Sequence, residues 1–501
     1  MVHPRPILIV AARAALVFSF LLFSLHFLSA QEQAGMRLER YSGMYGAALN
    51  PAQTGFTPHP WELSLGDAFL YLDNNYAFIH DASVPKVLRE SDRLFSISDT
   101  SAETPIPPDA ILSDFYQRTR PFYGVVRTRI GGPGFSVRLG ESHVVGLQTA
   151  FRTEFSSYGL PSVFQYSTFS QLPQNIPQEI DPLLVAGMSW GELGLHYSYR
   201  NWDASDERLF SIGISPKLLL GYEGFYSKAG AQFDYTPGVA DTATFARAQW
   251  NYGLTLANTR SDNSDSIKLR RSGMGGSVDL GAAWAMPAED GDTDTDYLWK
   301  FGVSILDLGA VRFNKDAQAH RLAVDSNTVV APDAFDGADD AEGYIQDLSA
   351  VFLGSPTASL EANAFTIGLP TALSAQFDFR VRKYLYVGGV IVQRIPIWKY
   401  TLKRPNMLAL VPRFEHQWFS ASLPIVLDDY RALRVGFAAR FAYLTIGSDN
   451  LGSWLGQKQL SGTDIYVGLK INGFQIGSGK NRGGRSGMSW RSRRKIKCYE
   501  F

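Results

Sequence analysis

The chain contains one cysteine, Cys498, so it has no intramolecular disulfide framework. Charged residues make up only 19% of the chain and the formal net charge is −1, so global electrostatics do not indicate a nucleic-acid-binding protein. Beyond residue 30, no apolar run approaches the roughly 20 residues that a transmembrane helix needs. Glycine (46), tyrosine (23) and tryptophan (10) are plentiful instead. The composition therefore excludes a disulfide-stapled scaffold and disfavours a bundle of membrane helices.

The first 30 residues have the layout of a secretory signal peptide. Arg5 and Arg13 flank or interrupt the start of an apolar run that continues to Ala30, and the polar Gln31 follows. A basic start, an apolar stretch and a small residue at the cleavage point are typical of an exported protein. The alternative is a retained transmembrane anchor. We expect cleavage after Ala30 and a mature chain that begins at Gln31.

Strict alternation of apolar and polar residues dominates the rest of the chain. In 371–382, Leu373, Phe377 and Phe379 fall on one face of a strand, and Asp378 and Arg380 fall on the other. Similar alternation recurs in 143–152, 192–200, 277–284, 297–305, 433–443 and 465–471. Each segment therefore predicts a strand with one apolar and one polar face.

A soluble β-sandwich and a membrane β-barrel both produce such strands. Three features favour a barrel, whose polar face lines the lumen: the predicted signal peptide, the repeated units of about ten residues, and the aromatic residues at the ends of many apolar strand faces. We predict an all-β, transmembrane antiparallel β-barrel of about 14–16 strands in the bacterial outer membrane. The expected organisation is a signal peptide (1–30), an N-terminal segment that is a candidate for plugging the lumen (31–60), the barrel (61–475) and a basic C-terminal tail (476–501).

Several motifs also carry a resemblance to a known family. They are Leu49-Asn50-Pro51-Ala52 near the start, Gly275 to Trp284, Phe301 to Gly309, and Ile446 to Leu451 leading into Asp464 to Lys470. In this order, over roughly residues 40 to 475, they resemble an outer-membrane barrel family of Bacteroidota classed as a domain of unknown function. The Asn-Pro-Ala start is also loosely similar to FadL-type barrels and to PorV and PorP/SprF of the type IX secretion system. The resemblance implies outer-membrane lipid, and envelope or type IX secretion components, as partners.

One motif suggests an enzyme. Gly187-Met188-Ser189-Trp190-Gly191 matches G-x-S-x-G, which exposes a nucleophilic serine on a strand-to-helix turn. Strand alternation continues after Ser189, so no helix can begin there. His143 and His196 are the candidate bases for a lipid hydrolase on the barrel wall, and the histidines lack metal-ligand spacing. We therefore assign no catalytic, cofactor-binding or metal-binding residue.

Three charged or irregular stretches remain. The acidic run Glu289–Asp296 is oxygen-rich but lacks the EF-hand pattern, so we expect a solvated hairpin loop. The insert 315–360 ends in Ile345, Leu348, Val351 and Phe352, which predict a short amphipathic helix. The tail from Lys480 to Phe501 has eight Lys or Arg residues and one acidic residue, suited to anionic lipid headgroups or to disorder.

Two classes of function follow from these features. The first is a non-enzymatic barrel, either a passive conduit for small or hydrophobic solutes or a structural component of the envelope or of a secretion system. The second is a lipid hydrolase built on the barrel wall. The lack of a convincing nucleophile–base pair favours the first.

Overall fold

Strand pairing dominates the computed structural model, which describes residues 32–97, 106–117, 121–165, 172–203, 208–256, 270–288, 295–331, 333–335, 338 and 340–473. The predicted signal peptide, residues 289–294 of the acidic run, and the basic tail with Cys498 lie outside these residues.

The strands are β1 (Trp61–Asn74), β2 (Ala77–Ala82), β3 (Leu94–Ser96), β4 (Ile111–Phe115), β5 (Phe122–Gly131), β6 (Gly134–Leu139), β7 (His143–Leu160), β8 (Gln178–Glu179), β9 (Leu184–Asp203), β10 (Arg208–Pro237), β11 (Ala243–Thr255), β12 (Gly273–Pro287), β13 (Tyr297–Phe313), β14 (Ala317–Val324), β15 (Thr328–Val330), β16 (Leu360–Ala362), β17 (Phe365–Gly368), β18 (Ala372–Arg382), β19 (Leu385–Arg394), β20 (Met407–Glu415), β21 (Phe419–Ser422), β22 (Ile425–Asp428), β23 (Ala432–Val435), β24 (Phe437–Phe441), β25 (Leu444–Ser448), β26 (Gln457–Leu460) and β27 (Gly462–Asn472).

Helices are few and short. They are α1 (Ala34–Arg37), α2 (Met44–Ala47), α3 (Val84–Arg89), α4 (Ala341–Leu353) and α5 (Leu451–Leu455), with 3-10 turns at Pro51–Phe56, Ser91–Arg93, Ser162–Gln165 and Val239–Asp241. None of the described helices has the length and apolar character that a bilayer crossing requires. The helix predicted at the end of the insert is α4, which buries Ile345 and Leu348 as expected.

The wall is a closed antiparallel barrel of 14 strands, within the predicted range. Neighbouring strands pair in chain order, and β27 closes the barrel on β1 with Leu63 opposite Ile471. Closure leaves no exposed sheet edge along the wall. Five of the 14 positions are each filled by two consecutive pieces: β5 with β6, β11 with β12, β17 with β18, β21 with β22, and β23 with β24. β14 continues the direction of β13 and pairs with β11.

Strand lengths differ from the sequence expectation. Strand β10 is continuous over 30 residues, although the sequence indicated repeated units of about ten residues. Its first part pairs with β12 and its second part with β11, so it extends beyond the rest of the wall. The weakly patterned insert also contains β14, a strand that we did not predict. The local alternation of residues underestimates the length and number of such strands, because their far ends are stabilised by neighbours distant in sequence.

The two ends of the barrel differ in their connections. Strands β18 and β19 are joined through residues 383–384 and β24 and β25 through 442–443, at the same end as the first residue of β1 and the last of β27. The opposite end has long connections, including 75–121 and 395–406. We call these the short-turn end and the long-loop end. Outer-membrane barrels characteristically have short turns on the periplasmic side and longer loops outside.

Side chains alternate across the wall as predicted for β18. Leu373, Phe377 and Phe379 are between 45% and 49% exposed, whereas Asp378 and Arg380 are 1% and 6% exposed. The apolar face therefore points outward and the charged face points into the barrel. A water-soluble sandwich has the opposite arrangement, because its apolar faces pack against each other.

Candidate functional site: the closed lumen

The lumen is filled by the N-terminal segment, which lies inside the barrel. Residues 32–57, here called the plug, are all buried except Ala48, which is partly buried. Its helices α1 and α2 have four residues each, too short to be stable alone. The wall must therefore hold the plug in shape, and the contacts between them define the candidate site.

The Asn-Pro-Ala motif docks the plug against the wall. The Asn50 side chain accepts a hydrogen bond from the Ala52 backbone N–H (2.9 Å) and donates one to Gln376 Oε1 on β18 (2.8 Å). On β12, Gly281 leaves room for it, because a Cβ there would lie 2.0 Å from Asn50 Oδ1. The motif that suggested the family resemblance thus fixes the plug to the wall.

One carboxylate of the plug binds three guanidiniums. Glu32 lies 3.0 Å from Arg37 of the plug, 2.8 Å from Arg127 of β5 and 3.1 Å from Arg404 of the connection 395–406. Burial raises the pKa of Glu32, but Arg404, Arg127 and Arg37 outweigh it and set the pKa at about 2. Glu32 is therefore ionised at neutral pH, and its charge depends on these partners.

A second set of ion pairs holds the middle of the plug. Arg40 pairs with Asp296, at the end of the acidic run, and lies 3.4 Å from Glu415 of β20. Glu39 pairs with Arg440 of β24 at 2.5 Å. These groups are nearly fully buried, so removing one partner would leave an uncompensated charge in a dry environment.

The connection 395–406, here called the inward loop, closes the lumen from the long-loop end. Its Tyr400 and Leu402 join an apolar cluster inside the barrel, which comprises Ala186, Met188, Trp190, Leu219, Tyr226, Val311, Phe313, Ala317, Ala319, Phe365, Ile367 and Leu369. Arg404 of the same loop reaches both Glu32 and Asp307. Plug and inward loop therefore meet inside the barrel and close it from both ends.

Asp307 is a central residue that the sequence analysis did not identify. It pairs with Arg152 (2.9 Å), Lys217 (3.2 Å) and Arg404 (2.5 Å). Its φ is +53°, in the left-handed region that only a few non-glycine residues adopt. Leu306 and Asp307 are consecutive and both buried, so the alternation breaks here. This interruption of the alternation at a charged residue is the feature of the sequence from which Asp307 could have been identified.

The enzymatic motif lies on the wrong face of a regular strand. Ser189 is within β9, on the face opposite to the fully buried Trp190, and hydrogen-bonds to Thr153 Oγ1 (3.0 Å). His143 bonds to the Tyr197 hydroxyl (2.9 Å), far along the wall. The strand continues past Ser189 to Asp203, as the alternation predicted, so there is no strand-to-helix turn at this position.

His196, the other candidate base, instead joins the plug to the wall. Its Nδ1 lies 2.8 Å from Ser215 Oγ of β10, and its Nε2 lies 2.8 Å from Thr54 Oγ1 of the plug. Both ring nitrogens are occupied by hydroxyls and the ring is 3% exposed. Within the described ranges, no three His, Cys, Asp or Glu side chains are grouped as metal ligands.

Comparison with known proteins identifies a family. The model described as "Family of unknown function (DUF5723)" matches residues 84–449. Among curated proteins there is no match. The chain is also similar to solved barrels: the Ralstonia pickettii toluene transporter TbuX (10% identity, 89% of this chain and 98% of that chain, TM-score 0.36) and the translocator domain of the autotransporter NalP from Neisseria meningitidis (9% identity, 86% and 95%, TM-score 0.31). The Pseudomonas putida toluene transporter TodX is similar as well (9% identity, 89% and 96%, TM-score 0.30).

Proposed function

This chain belongs to the family of unknown function DUF5723, and we propose that it is a non-enzymatic barrel of the bacterial outer membrane that serves as a conduit for small or hydrophobic solutes and is closed at rest. The observation that carries this proposal is a closed wall, apolar outside and charged inside, whose lumen is filled by the N-terminal plug. The lipid hydrolase is not proposed, because Ser189 lacks a base and an exposed turn.

The outward face supports residence in a bilayer. Large apolar side chains such as Leu195 (58% exposed), Ile130 (53%) and Phe377 (49%) lie on the outside of the wall. Exposed apolar surface on this scale is unfavourable in water and is expected against lipid. Mature protein should therefore fractionate with outer membranes and migrate differently on a gel before and after heating. Recovery as a soluble periplasmic protein would contradict the proposal.

The chemistry of the plug interface supports a conduit that opens. Plug and wall are joined by ion pairs and hydrogen bonds, such as Glu32 with Arg127 and Thr54 with His196, in addition to apolar contacts. Water that enters the lumen can solvate both partners of such a contact, so separation costs less than exposing an apolar core. We infer that displacement of the plug opens the route.

The test uses two glycines of one strand. Gly281→Leu places a side chain where Asn50 lies, whereas at Gly276 of the same strand the nearest atom to an added Cβ is 3.7 Å away. In planar bilayers, wild type and Gly276→Leu should conduct little, and Gly281→Leu should conduct frequently. Liposome swelling with small solutes should follow the same order. If Gly281→Leu displaces the plug, as judged by protease access to 32–57, and the variant still conducts nothing, the proposal that the barrel is a conduit is wrong.

A structural role in the envelope or in a type IX secretion system is the second candidate. It is favoured by apolar side chains exposed on short helices of the long-loop end, Leu88 of α3 (55%) and Leu455 of α5 (78%). Such side chains are suited to a protein partner. In-cell crosslinking from positions 88 and 455 should capture an envelope protein if this role exists. A barrel that crosslinks to none and conducts after plug displacement is a conduit alone.

A further inference from the structure

Four cations gather at the mouth of the barrel on the long-loop side. Lys403 Nζ and Arg394 Cζ each lie 4.8 Å from the centroid of the Tyr158 ring. Lys228 lies two residues from Tyr226, whose ring stacks on Tyr400 of the inward loop at 3.7 Å. The fourth cation is Arg431, and its Cζ lies 5.1 Å from the ring of Tyr123. Because Tyr123 itself stacks on Tyr158 at 5.7 Å, Lys403, Arg394 and Arg431 share one aromatic surface. Lys228 is near enough for its charge to act on Lys403.

This group has fewer opposite charges than cations. Asp429 forms ion pairs with two of the cations, at 3.3 Å from Arg394 and 3.6 Å from Arg431. Lys228 and Lys403 make no ion pair with a carboxylate in the described part of the chain. Burial, followed by the charges of Arg394 and Lys228, lowers the pKa of Lys403. The cations are therefore held together against their mutual repulsion.

The rest of the lumen is organised differently. Arg152, deeper in the barrel, is surrounded by Glu154 (2.6 Å), Glu192 (2.9 Å) and Asp307 (2.9 Å). Arg152 is thus neutralised deep in the lumen, whereas cations are in excess over carboxylates at the long-loop end. Arg394 and Arg431 remain 28% and 33% exposed, so a solute can reach them. A cluster that repels itself in the free protein is stabilised when an anion binds, and such clusters mark binding sites.

We propose that Lys228, Arg394 and Lys403 form a binding site for an oxyanion, a carboxylate or phosphate group, at the mouth of the barrel. Lysine and arginine donate charge-assisted hydrogen bonds to such groups, and the Tyr158 ring provides a flat apolar surface beside them. The site adjoins the inward loop, since Lys403 precedes Arg404, which contacts Glu32 of the plug. The inference rests on the fold and does not require that the barrel conducts.

The test measures phosphate binding by the full-length purified barrel. In phosphatidylcholine nanodiscs, inorganic phosphate at constant ionic strength should raise the unfolding temperature, because a ligand stabilises the state that binds it. Lys403→Gln and Lys228→Gln should each weaken phosphate binding by about tenfold, the loss of one charge-assisted hydrogen bond. Without phosphate, both variants should be as stable as wild type or more so, since a repelling charge is removed. A merely structural lysine would instead destabilise the barrel when replaced.

The matched control is Arg247→Gln, which removes one cation of β11 that is exposed and paired with Asp234. It should bind phosphate as wild type does. Nanodiscs containing phosphatidylglycerol separate two sources of the ligand: competition with free phosphate assigns the site to lipid headgroups, and unchanged binding assigns it to solutes. Wild type that does not respond to phosphate beyond a chloride control, or Lys403→Gln that binds as tightly as wild type, overturns the proposal.

Discussion

The lumen and the lobe above it both bury their side chains, but the chemistry of the buried groups differs. The outer lobe comprises the second part of β10, β11, β14, β15 and α4, and its core is apolar: Leu172, Tyr235, Ala243, Phe245, Tyr252, Leu256, Leu322, Val330, Phe335, Ile345 and Leu348. The lumen combines apolar clusters with many Arg, Lys, Asp and Glu side chains that are less than 10% exposed. Burial alone therefore does not say what holds a region together.

The helices of the two regions differ in the same way. In the lobe, α4 has 13 residues, an Asp340 side chain that accepts from the Gly343 N–H at its start, and Gly354 with φ +77° at its end. In the plug, α1 and α2 lack side-chain caps and depend on the wall. Apolar burial is stable by itself, whereas a buried charge is stable only while its partner is present. The lobe should thus tolerate acid and the plug should not.

The largest effect should come from removing the shared carboxylate of the plug. Glu32→Gln leaves Arg37, Arg127 and Arg404 without their common partner, and breaking a buried ion pair typically costs about 3–5 kcal/mol. Thermal unfolding of purified protein and protease access to 32–57 should both detect the change. Glu361→Gln, an exposed carboxylate, is the control. Unchanged stability in Glu32→Gln would show that the plug does not depend on this charge.

In the lobe, the matching experiment removes an apolar side chain. Leu348→Ala should destabilise the lobe by about 2–5 kcal/mol through the cavity that it leaves. Limited proteolysis should then cleave within 341–353, while the gel shift of the barrel on heating stays as in wild type. Gln346→Ala, an exposed position of the same helix, should be silent. Loss of the whole barrel would mean that lobe and wall are not independent.

The outer wall extends the comparison to a third environment. Phe377→Arg should cost about 2–4 kcal/mol of barrel stability if the residue lies near the bilayer midplane, because the charge enters lipid. Asp378→Asn, one residue along, faces the lumen and should still insert, with weaker pairing to Arg413 and Lys300. The readout is the folded fraction in liposomes. If Asp378→Asn failed to insert and Phe377→Arg inserted as wild type does, the assignment of the lipid-facing and lumen-facing sides would be reversed.

Acid should separate the lumen from the lobe. The pKa of Glu32 is about 2 in the folded protein and ordinarily 4.5, so its contribution to stability is complete above about pH 4.5. That contribution is lost as the pH falls from 4.5 towards 2. Protease access to the plug should therefore increase over this range and access to α4 should not. Glu32→Gln should flatten the response of the plug.

The smallest expected effect is none at all. Ser189→Ala should not change ester or lipid turnover, because the hydroxyl lies on a regular strand and contacts Thr153, with no histidine beside it. A fluorophosphonate probe should leave Ser189 unlabelled in wild type. Labelling of Ser189, with activity lost in the variant, would contradict a non-enzymatic barrel.

Alternation by itself determined the class of fold and the two faces of the wall. Strand geometry places every second side chain on the same side, so Phe377 and Asp378 were assigned to opposite faces correctly from sequence. The spacing of Ile345 and Leu348 likewise predicted the helix α4 correctly. The length of β10 and the presence of β14 were missed, because their pairing partners are remote in sequence and no local pattern records them.

The sequence therefore specified a barrel with a charged interior, and the tertiary structure decided which charges meet. Glu32 and Arg404 are 372 positions apart, and Lys228, Arg394 and Lys403 come from β10, the end of β19 and the inward loop. Periodicity encodes only the face on which a side chain lies, since it depends on the local backbone. Whether a buried cation finds a carboxylate depends on register and closure, which arise only when all 14 strands pair.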